Sequence, residues 1–282
     1  MDRHKAREIF TSIGWRQTHH CNHIFDFTMQ AVEEARGGVI LDAGAGHQAC
    51  KPFFAESLYL AQEHPASGAE AKQLKEYDIL CDAKVIPLVD QSVRLIFSNV
   101  SLEHMRYPEP FFRESFRVLE PGGALYINVP FVYMEHEQPY DFQRPTSFGL
   151  KRWYEDAGFE RIEIHPSSSS IYTCLWALKL AMEEELGRGF ESRFKTQQAR
   201  VVSWVANKVF TRIGSLFDRA PMPTCQFPIG WTARAYKRGQ RPASKMIPKA
   251  EFLRQNAGIA DAIRGGVLEK SGFVANSMLV PA

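Results

Sequence analysis

The sequence predicts an α/β fold, a doubly wound and mostly parallel sheet with helices on both faces. Three observations carry that expectation. Short apolar runs without polar alternation recur over residues 39–164, as in strands buried on both faces. Helical segments separate them, the alternation expected when parallel strands are joined by crossovers. The first run continues into a glycine turn, Val39-Ile40-Leu41-Asp42-Ala43-Gly44-Ala45-Gly46. Glycines there let the chain turn tightly at a strand's carboxyl end, the edge where ligands bind in open α/β sheets.

The elements follow in order. Residues 1–36 read as an N-terminal helical cap, with Ile9, Phe10 and Ile13, then Ile24, Phe25, Phe27, Met29 and Val32, at helical spacing around a break at Gly14. Strands are expected at 39–41, 58–61, 77–81, 93–98, 124–129 and 159–164. A short helix is expected over 46–55, with Pro52 in its first turn. Further helices are expected at 69–76, at 108–119 with Pro108 at its start, and at 147–157, closed by Gly158. Glu120-Pro121-Gly122-Gly123 reads as a turn. After a polar break at 167–170, residues 171–186 and 197–217 read as helices with no strand between them. Residues 228–236 then return to strand character. The expected organisation is therefore a core of 37–166 and 228–237, a helical insertion over 167–227 and a tail over 238–282. Within the tail, 249–264 reads as one helix.

Composition narrows the function classes. The 282 residues are 45% hydrophobic and carry a net charge of +2, which gives no global argument for nucleic acid. The five cysteines (Cys21, Cys50, Cys81, Cys174 and Cys225) are odd in number and scattered. Neither a disulfide framework nor a thiolate zinc site is indicated. No secretory signal or membrane-spanning run is apparent, so a cytoplasmic setting is expected. The 197–217 segment gathers Val201, Val202, Trp204, Val205, Val209, Phe210, Ile213 and Leu216 on one broad face, with Arg200, Lys208, Arg212 and Arg219 around it. That face either packs on the domain or makes peripheral contact with an anionic membrane surface.

A lone G-x-G after a strand is a weak signal. The dinucleotide fingerprint needs a third glycine where Ala49 stands, and Asp42 would repel a pyrophosphate. An acid there suits a cationic or hydroxyl-bearing ligand. Glu63 follows Asp42 by 21 positions, about where a ribose-binding carboxylate falls, although an ordinary exposed glutamate would look the same. His19, His20, Cys21 and His23 crowd one stretch, but successive helical residues point about 100° apart and cannot all face one ion. A capping or pocket-lining role is expected for them, and no metal.

The series Val39 to Gly46, Glu63, Asp82-Ala83, Ser98 to His104 and Arg117-Val118-Leu119-Glu120-Pro121-Gly122-Gly123 resembles the class I S-adenosylmethionine-dependent methyltransferases, most closely the type 11 branch. The resemblance covers residues 36–165 and implies a Rossmann-like, seven-stranded sheet closed by an antiparallel last strand. It implies that Asp42, Ala43, Gly44, Ala45 and Gly46 wrap the methionine part of S-adenosylmethionine. Glu63 would take the ribose hydroxyls, and Asp82 with Ala83 the adenine. Asn99 would line the cofactor. Gln48 stands where many members carry another glycine. The stretch Tyr133-Met134-Glu135-His136-Glu137-Gln138-Pro139-Tyr140-Asp141-Phe142-Gln143-Arg144 leaves the fifth strand and should overhang the site. It is similar to methyltransferases associated with bacterial surface-polysaccharide or lipid-linked glycan synthesis.

The expected reaction is in-line attack of an acceptor nucleophile on the cofactor methyl, with no metal required. Holding the partners in line can supply about 7–11 kcal/mol. For a hydroxyl acceptor on a sugar, glycolipid or small molecule, His136 is the candidate base, because imidazole titrates near working pH. Asp141 would orient it or act itself, and His104 stands in reserve. Arg144 is expected to hold an anionic acceptor group, with Tyr133, Glu137 and Tyr140 lining the acceptor site. Two rival readings are a non-catalytic cofactor- or partner-binding protein of the same fold and a nicotinamide-dependent oxidoreductase; the missing third glycine opposes the latter.

Overall fold

A computed structural model describes residues 2–12, 19–65, 76–188, 225–243 and 247–256, together with 204–205, 208–209 and 212–213. For His19 and residues 183–188 it describes the backbone alone. Helices α1 (Arg3–Ser12) and α2 (His19–Ala35) precede β1 (Val39–Ala43), β2 (Leu58–Glu63), β3 (Ile79–Leu80) and β4 (Val93–Asn99). Then come α3 (Pro108–Val118), β5 (Leu119–Pro130), α4 (Ser147–Asp156), β6 (Glu160–Pro166), α5 (Ser170–Arg188) and β7 (Gly230–Tyr236). A last described helix, α6, spans 249–256.

The seven strands form one sheet in the order β3-β2-β1-β4-β5-β7-β6. The first five in that order run parallel, and β7 is antiparallel to both its neighbours. This is the mostly parallel sheet with an antiparallel closing strand that the sequence led us to expect. Chain order reverses between β1 and β4, which places a ligand crevice at their carboxyl ends.

Strand periodicity explains why the runs are apolar throughout. In β1, Ile40 faces a layer built on Phe10, Phe25, Phe27 and Ala31 of α1 and α2. Its neighbour Leu41 faces the opposite layer, built on Phe111 and Phe112 of α3 and Leu150 and Tyr154 of α4. Both faces of the sheet are thus covered, so a polar residue on either would need a buried partner.

Several local expectations change. The helix over 46–55 shrinks to a 3-10 turn at Lys51–Phe54, which buries Phe53 and Phe54. Gly46 and Gln48 both take positive φ, at 49° and 53°, and an α-helix cannot pass through such residues. Gln48 therefore adopts the left-handed geometry without the glycine that makes it easy. The Glu120-to-Gly123 turn becomes an excursion inside β5: Leu119 pairs with Val93, and Ala124 with Leu95. Glu120 is held there by Arg94 at 2.9 Å, a pair that is almost fully buried. The third strand contracts to Ile79–Leu80. Residues 66–75, with most of the helix expected at 69–76, lie outside the described residues.

The polar break after β6 is buried. Ser167 Oγ accepts from Gly230 N at 3.0 Å and Ser168 Oγ from Ile229 N at 2.8 Å, so these serines lock the entry to β7. Most of 197–217 lies outside the described residues; Trp204, Val205, Val209 and Ile213 within it are exposed, so at these four positions the apolar face is not packed on the domain. No described helix is long and apolar enough to cross a membrane. Part of the expected tail docks on the core: α6 buries Phe252, Asn256 Oδ1 accepts from Val89 N at 2.8 Å, and Lys249 pairs with Asp78 at 2.6 Å.

Two histidines of α2 tie that helix to the end of β6 and to β7. His20 Nδ1 lies 3.3 Å from Ser167 O, and His23 Nε2 2.9 Å from Thr232 Oγ1. Burial lowers the His20 pKa to about 4, with the Ser167 carbonyl opposing the shift. The fold holds this imidazole neutral, whereas the unfolded chain takes up its proton near pH 6.5. Stability should therefore fall as the pH drops from 6.5 to 4, by roughly 1 kcal/mol per pH unit, and His20→Asn should remove that slope. Denaturant melts of both proteins across this range check it; parallel curves would refute the assignment.

Candidate functional site

The site is built on the carboxyl ends of β1, β2, β3 and β4. Gly44 takes φ +74°, and a Cβ added there would come within 1.9 Å of Ser101 Oγ. The glycine therefore lets the first turn pass against the segment that follows β4. Gly46 is different: a Cβ there would meet nothing within 4 Å, so the turn borders open space on that side.

The turn is pinned from β2. Gly44 N donates to the Gln62 side-chain oxygen at 3.1 Å, and Ala45 N to the Gln62 carbonyl at 2.9 Å. Gln62 Nε2 in turn donates to Cys81 O at 2.7 Å, tying the ends of β1, β2 and β3 together. Glu63 Oε2 accepts from Gly46 N at 2.8 Å, and Oε1 from His64 N at 2.9 Å. Tyr77 closes the ring by donating to Gly46 O at 2.6 Å. Nothing in the sequence pattern marked Gln62 or Tyr77, because their value lies in reaching across strands.

Asp42 is buried at the end of β1, where the Tyr59 hydroxyl donates to its Oδ2. Burial pushes its pKa up to about 7, and the hydrogen bond from Tyr59 pulls the other way. Asp82 follows β3 and stands half-exposed, paired with Lys84 Nζ at 2.9 Å, beside buried Ala83. Asn99, at the end of β4, accepts from Asn128 Nδ2 at 2.9 Å. The structure thus brings Asp42, Ala43, Gly44, Ala45, Gly46, Glu63, Asp82, Ala83 and Asn99 to one edge of the sheet.

The donor set fits S-adenosylmethionine. Carboxylates at the ends of adjacent strands, Glu63 and Asp82, are acceptors suited to ribose hydroxyls and an exocyclic amine, and an oxygen with one bond can accept another. The open side of Gly46 leaves room for a ligand to approach the backbone. The Asp42 carboxyl, whose charge burial disfavours, would be drawn into its charged form by a ligand that carries a sulfonium and an ammonium.

The second half of the site is the chain that leaves β4 and β5. A 3-10 turn at Leu102–His104 lies under the loop that follows Pro130. The loop is pinned to it, because Phe142 N and Gln143 N both donate to Glu103 O, at 2.8 and 3.1 Å. Asp141 holds the loop's own shape. Its Oδ2 accepts from His136 N at 3.0 Å and lies 3.3 Å from His136 Nδ1. The Arg144 fork grips both its oxygens at 2.6 and 2.7 Å. Burial alone would raise the Asp141 pKa, but these donors hold it down at about 2.

Arg144, expected to hold an anionic acceptor group, is placed by the structure against Asp141 of its own loop. Two of its nitrogens are spent on Asp141 and on the Met134 and Gln143 carbonyls, which makes it a strut of the loop. His104 and His136 do come together, with ring centroids 5.0 Å apart. Tyr133 packs against His136 at 5.2 Å and against Trp176 of α5 at 5.3 Å. Tyr140 and Glu137 are exposed on the rim, Glu137 at 3.6 Å from His104 Nε2.

The residue that sequence reasoning missed is Glu103. It is fully buried, no other residue hydrogen-bonds its carboxylate oxygens, and Oε1 lies 3.8 Å from His136 Nε2. Burial pushes its pKa up to about 8, against its own backbone N–H and the charge of Arg144. Its only sequence signal was adjacency to His104, one of the two histidines it meets.

Residues 41–127 match the family model described as "Methyltransferase domain". The segment runs from β1 into β5 and contains the glycine turn, Glu63, Asp82, Ala83 and Asn99. Fold, turn and match agree in kind: this core is similar to the S-adenosylmethionine-dependent methyltransferases. Among curated proteins it is similar to the ubiquinone/menaquinone biosynthesis C-methyltransferase UbiE of Neisseria gonorrhoeae and of Neisseria meningitidis. The identity to each is 26% over 121 residues, which take in 33% of this chain and 49% of each relative. The chain spans about half the length of the curated relatives it matches. Among solved structures, an SAM-dependent methyltransferase from Archaeoglobus fulgidus matches at TM-score 0.46 and 16% identity, covering 74% of this chain and 90% of that one. Phosphoethanolamine N-methyltransferase 2 of Haemonchus contortus, in complex with S-adenosyl-L-methionine, matches at 0.43 and 17%, covering 75% and 52%.

Two substitutions probe the cofactor half. Gly44→Ala forces its Cβ into Ser101 and should weaken S-adenosylmethionine binding at least about tenfold, as roughly 1–3 kcal/mol of strain predicts. Asp82→Ala should weaken it without lowering thermal stability, since the side chain is half-exposed and its partner Lys84 is on the surface. Calorimetric titration of each variant measures both; unchanged affinity in Asp82→Ala would refute the adenine assignment.

Proposed function

We propose that this chain methylates a hydroxyl group of a sugar, a glycolipid or another small molecule by in-line transfer. The observation that supports a hydroxyl acceptor is the group of Glu103, His104 and His136 beside the cofactor edge, where two imidazoles face a buried and unpartnered carboxyl. A hydroxyl nucleophile must lose its proton, and this is the kind of surface that takes one.

When bound, S-adenosylmethionine supplies a methyl group already activated on a sulfonium. The chain's own residues do the rest. The glycine turn and Glu63 fix the cofactor edge, and Ser101 sets the turn against the acceptor side. Asp141 orients His136 through Nδ1, which leaves Nε2 as the atom that faces the acceptor proton. Tyr133 and Trp176 offer an aromatic wall, a surface on which a sugar or other ring can lie. A glycan or lipid-linked acceptor is consistent with that wall and with the exposed Trp204, Val205, Val209 and Ile213, which would meet an anionic membrane from the cytoplasmic side.

The test has two stages. The protein should bind S-adenosylmethionine and S-adenosylhomocysteine, and not NAD, in calorimetric titrations. Methyl transfer is then followed from labelled S-adenosylmethionine into a panel of nucleotide-linked and lipid-linked sugars. His136→Ala should cut turnover by about 10²–10⁴-fold, with cofactor affinity within about threefold of the parent. A loss below tenfold would remove His136 from the acceptor chemistry. Transfer confined to carbon or nitrogen acceptors would overturn the hydroxyl assignment.

A further inference from the structure

We propose that Glu103, His104 and His136 form a binding site for a divalent first-row transition ion such as zinc, iron(II), manganese or cobalt. One ligand atom from each lies within 4.8 Å of the others. The donor set, two imidazoles and one carboxylate, is the combination such ions take with positions left open for an exogenous oxygen.

Two features lift this group above a chance meeting of side chains. The first is how the imidazoles are held. His104 Nδ1 lies 2.8 Å from Tyr140 O, and a ring nitrogen that close to a carbonyl carries the proton. His136 Nδ1 lies 3.3 Å from Asp141 Oδ2 and 3.3 Å from Met134 O, acceptors that again call for a proton on Nδ1. Both rings are thereby set in the tautomer whose Nε2 lone pair is available. A carboxylate or carbonyl behind a histidine is the usual support of a metal ligand. Asp141 is itself locked by Arg144, so the support is rigid.

The second feature is Glu103. A fully buried carboxyl that no other residue hydrogen-bonds costs free energy, and a cation between it and the two imidazoles would offset that cost. The ligand atoms of one ion at ~2.1 Å sit roughly 3–3.5 Å apart. His136 Nε2 and Glu103 Oε1 are already at 3.8 Å, so modest side-chain rotation closes the site. The imidazole side chains are 21% and 23% exposed, which leaves a face through which an acceptor oxygen could reach the ion.

For its chemical use, though not for the binding itself, the inference rests on the methyl-transfer reading. An acceptor hydroxyl on the ion would have its pKa lowered. Its oxygen would form the bond to the methyl carbon as the carbon–sulfur bond breaks, with the bond pair going to sulfur. The hydroxyl proton would pass to Glu137 on the rim. In the loaded site His136 serves as a ligand, and the ion takes over the lowering of the acceptor pKa.

The experiment uses the full chain freed of metal by a chelator and then titrated with Co²⁺, with visible absorption and calorimetry as readouts and Zn²⁺ as competitor. One equivalent of Co²⁺ should bind, give ligand-field bands and be displaced by Zn²⁺. Glu103→Gln and His104→Ala should each weaken Co²⁺ binding at least tenfold, and Asp141→Asn by about 10–100-fold through the ring it orients. Circular dichroism confirms that each variant is folded; if Glu103→Gln does not fold, His104→Ala carries the test from the partly exposed side. Absence of Co²⁺ and Zn²⁺ uptake, or uptake equal in parent and variants, would overturn the site. S-adenosylmethionine titration of the same metal-free protein separates the two readings: cofactor binding without metal uptake ends only the metal site, and metal uptake without cofactor binding ends only the methyl-transfer reading.

Discussion

β1 sits between β2 and β4 and pairs in parallel with both, and the site depends on that arrangement. Parallel neighbours bring their carboxyl ends to one edge. The glycine turn, Glu63 and Asn99 therefore meet although they leave three different strands. The same arrangement covers both faces of β1 and leaves its end as the place where polar groups can emerge. Asp42 lies at that boundary, and its raised pKa is the consequence of a carboxyl placed one residue inside the wet edge.

The two halves of the site are held differently. The cofactor half is a ring of short hydrogen bonds that join Gly44, Gln62, Cys81, Glu63, Gly46 and Tyr77 across three strands. The second half is a loop folded back on a 3-10 turn, with Asp141 as the hub between His136 and Arg144. Ser101 joins them: it packs on Gly44 and stands two residues before Glu103. A shift of the glycine turn would therefore reach the imidazole pair through one short piece of chain.

Much of the fold was legible from the sequence. Unbroken apolar runs announced parallel strands, and the glycine turn falls at the carboxyl edge of the sheet, as its place after the first run led us to expect. What misled was local chemistry read without its neighbours. Glu120-Pro121-Gly122-Gly123 has the composition of a turn, yet Leu119 and Ala124 pair with β4 on either side and absorb it as a bulge. Three consecutive serines after β6 read as a polar break but are buried: the Ser167 and Ser168 hydroxyls serve the backbone at the start of β7, and the Ser169 hydroxyl accepts from Tyr172 N of α5. Arg144 has the residue type of an anion clamp; its nearest anion, Asp141, is part of the same loop.

The sequence by itself determined the layer architecture and the parallel character of the sheet, because these follow from periodicity and from short spacings along the chain. Only the tertiary structure decided the meeting of Glu103, His104 and His136. Glu103 and His136 approach each other because β4 and β5 are paired and their following segments cross, a relation that no spacing along the chain expresses. Whether a carboxyl is an exposed acid or a buried and unpartnered one is likewise set by what packs around it. For Glu103 that packing is the loop whose backbone it holds.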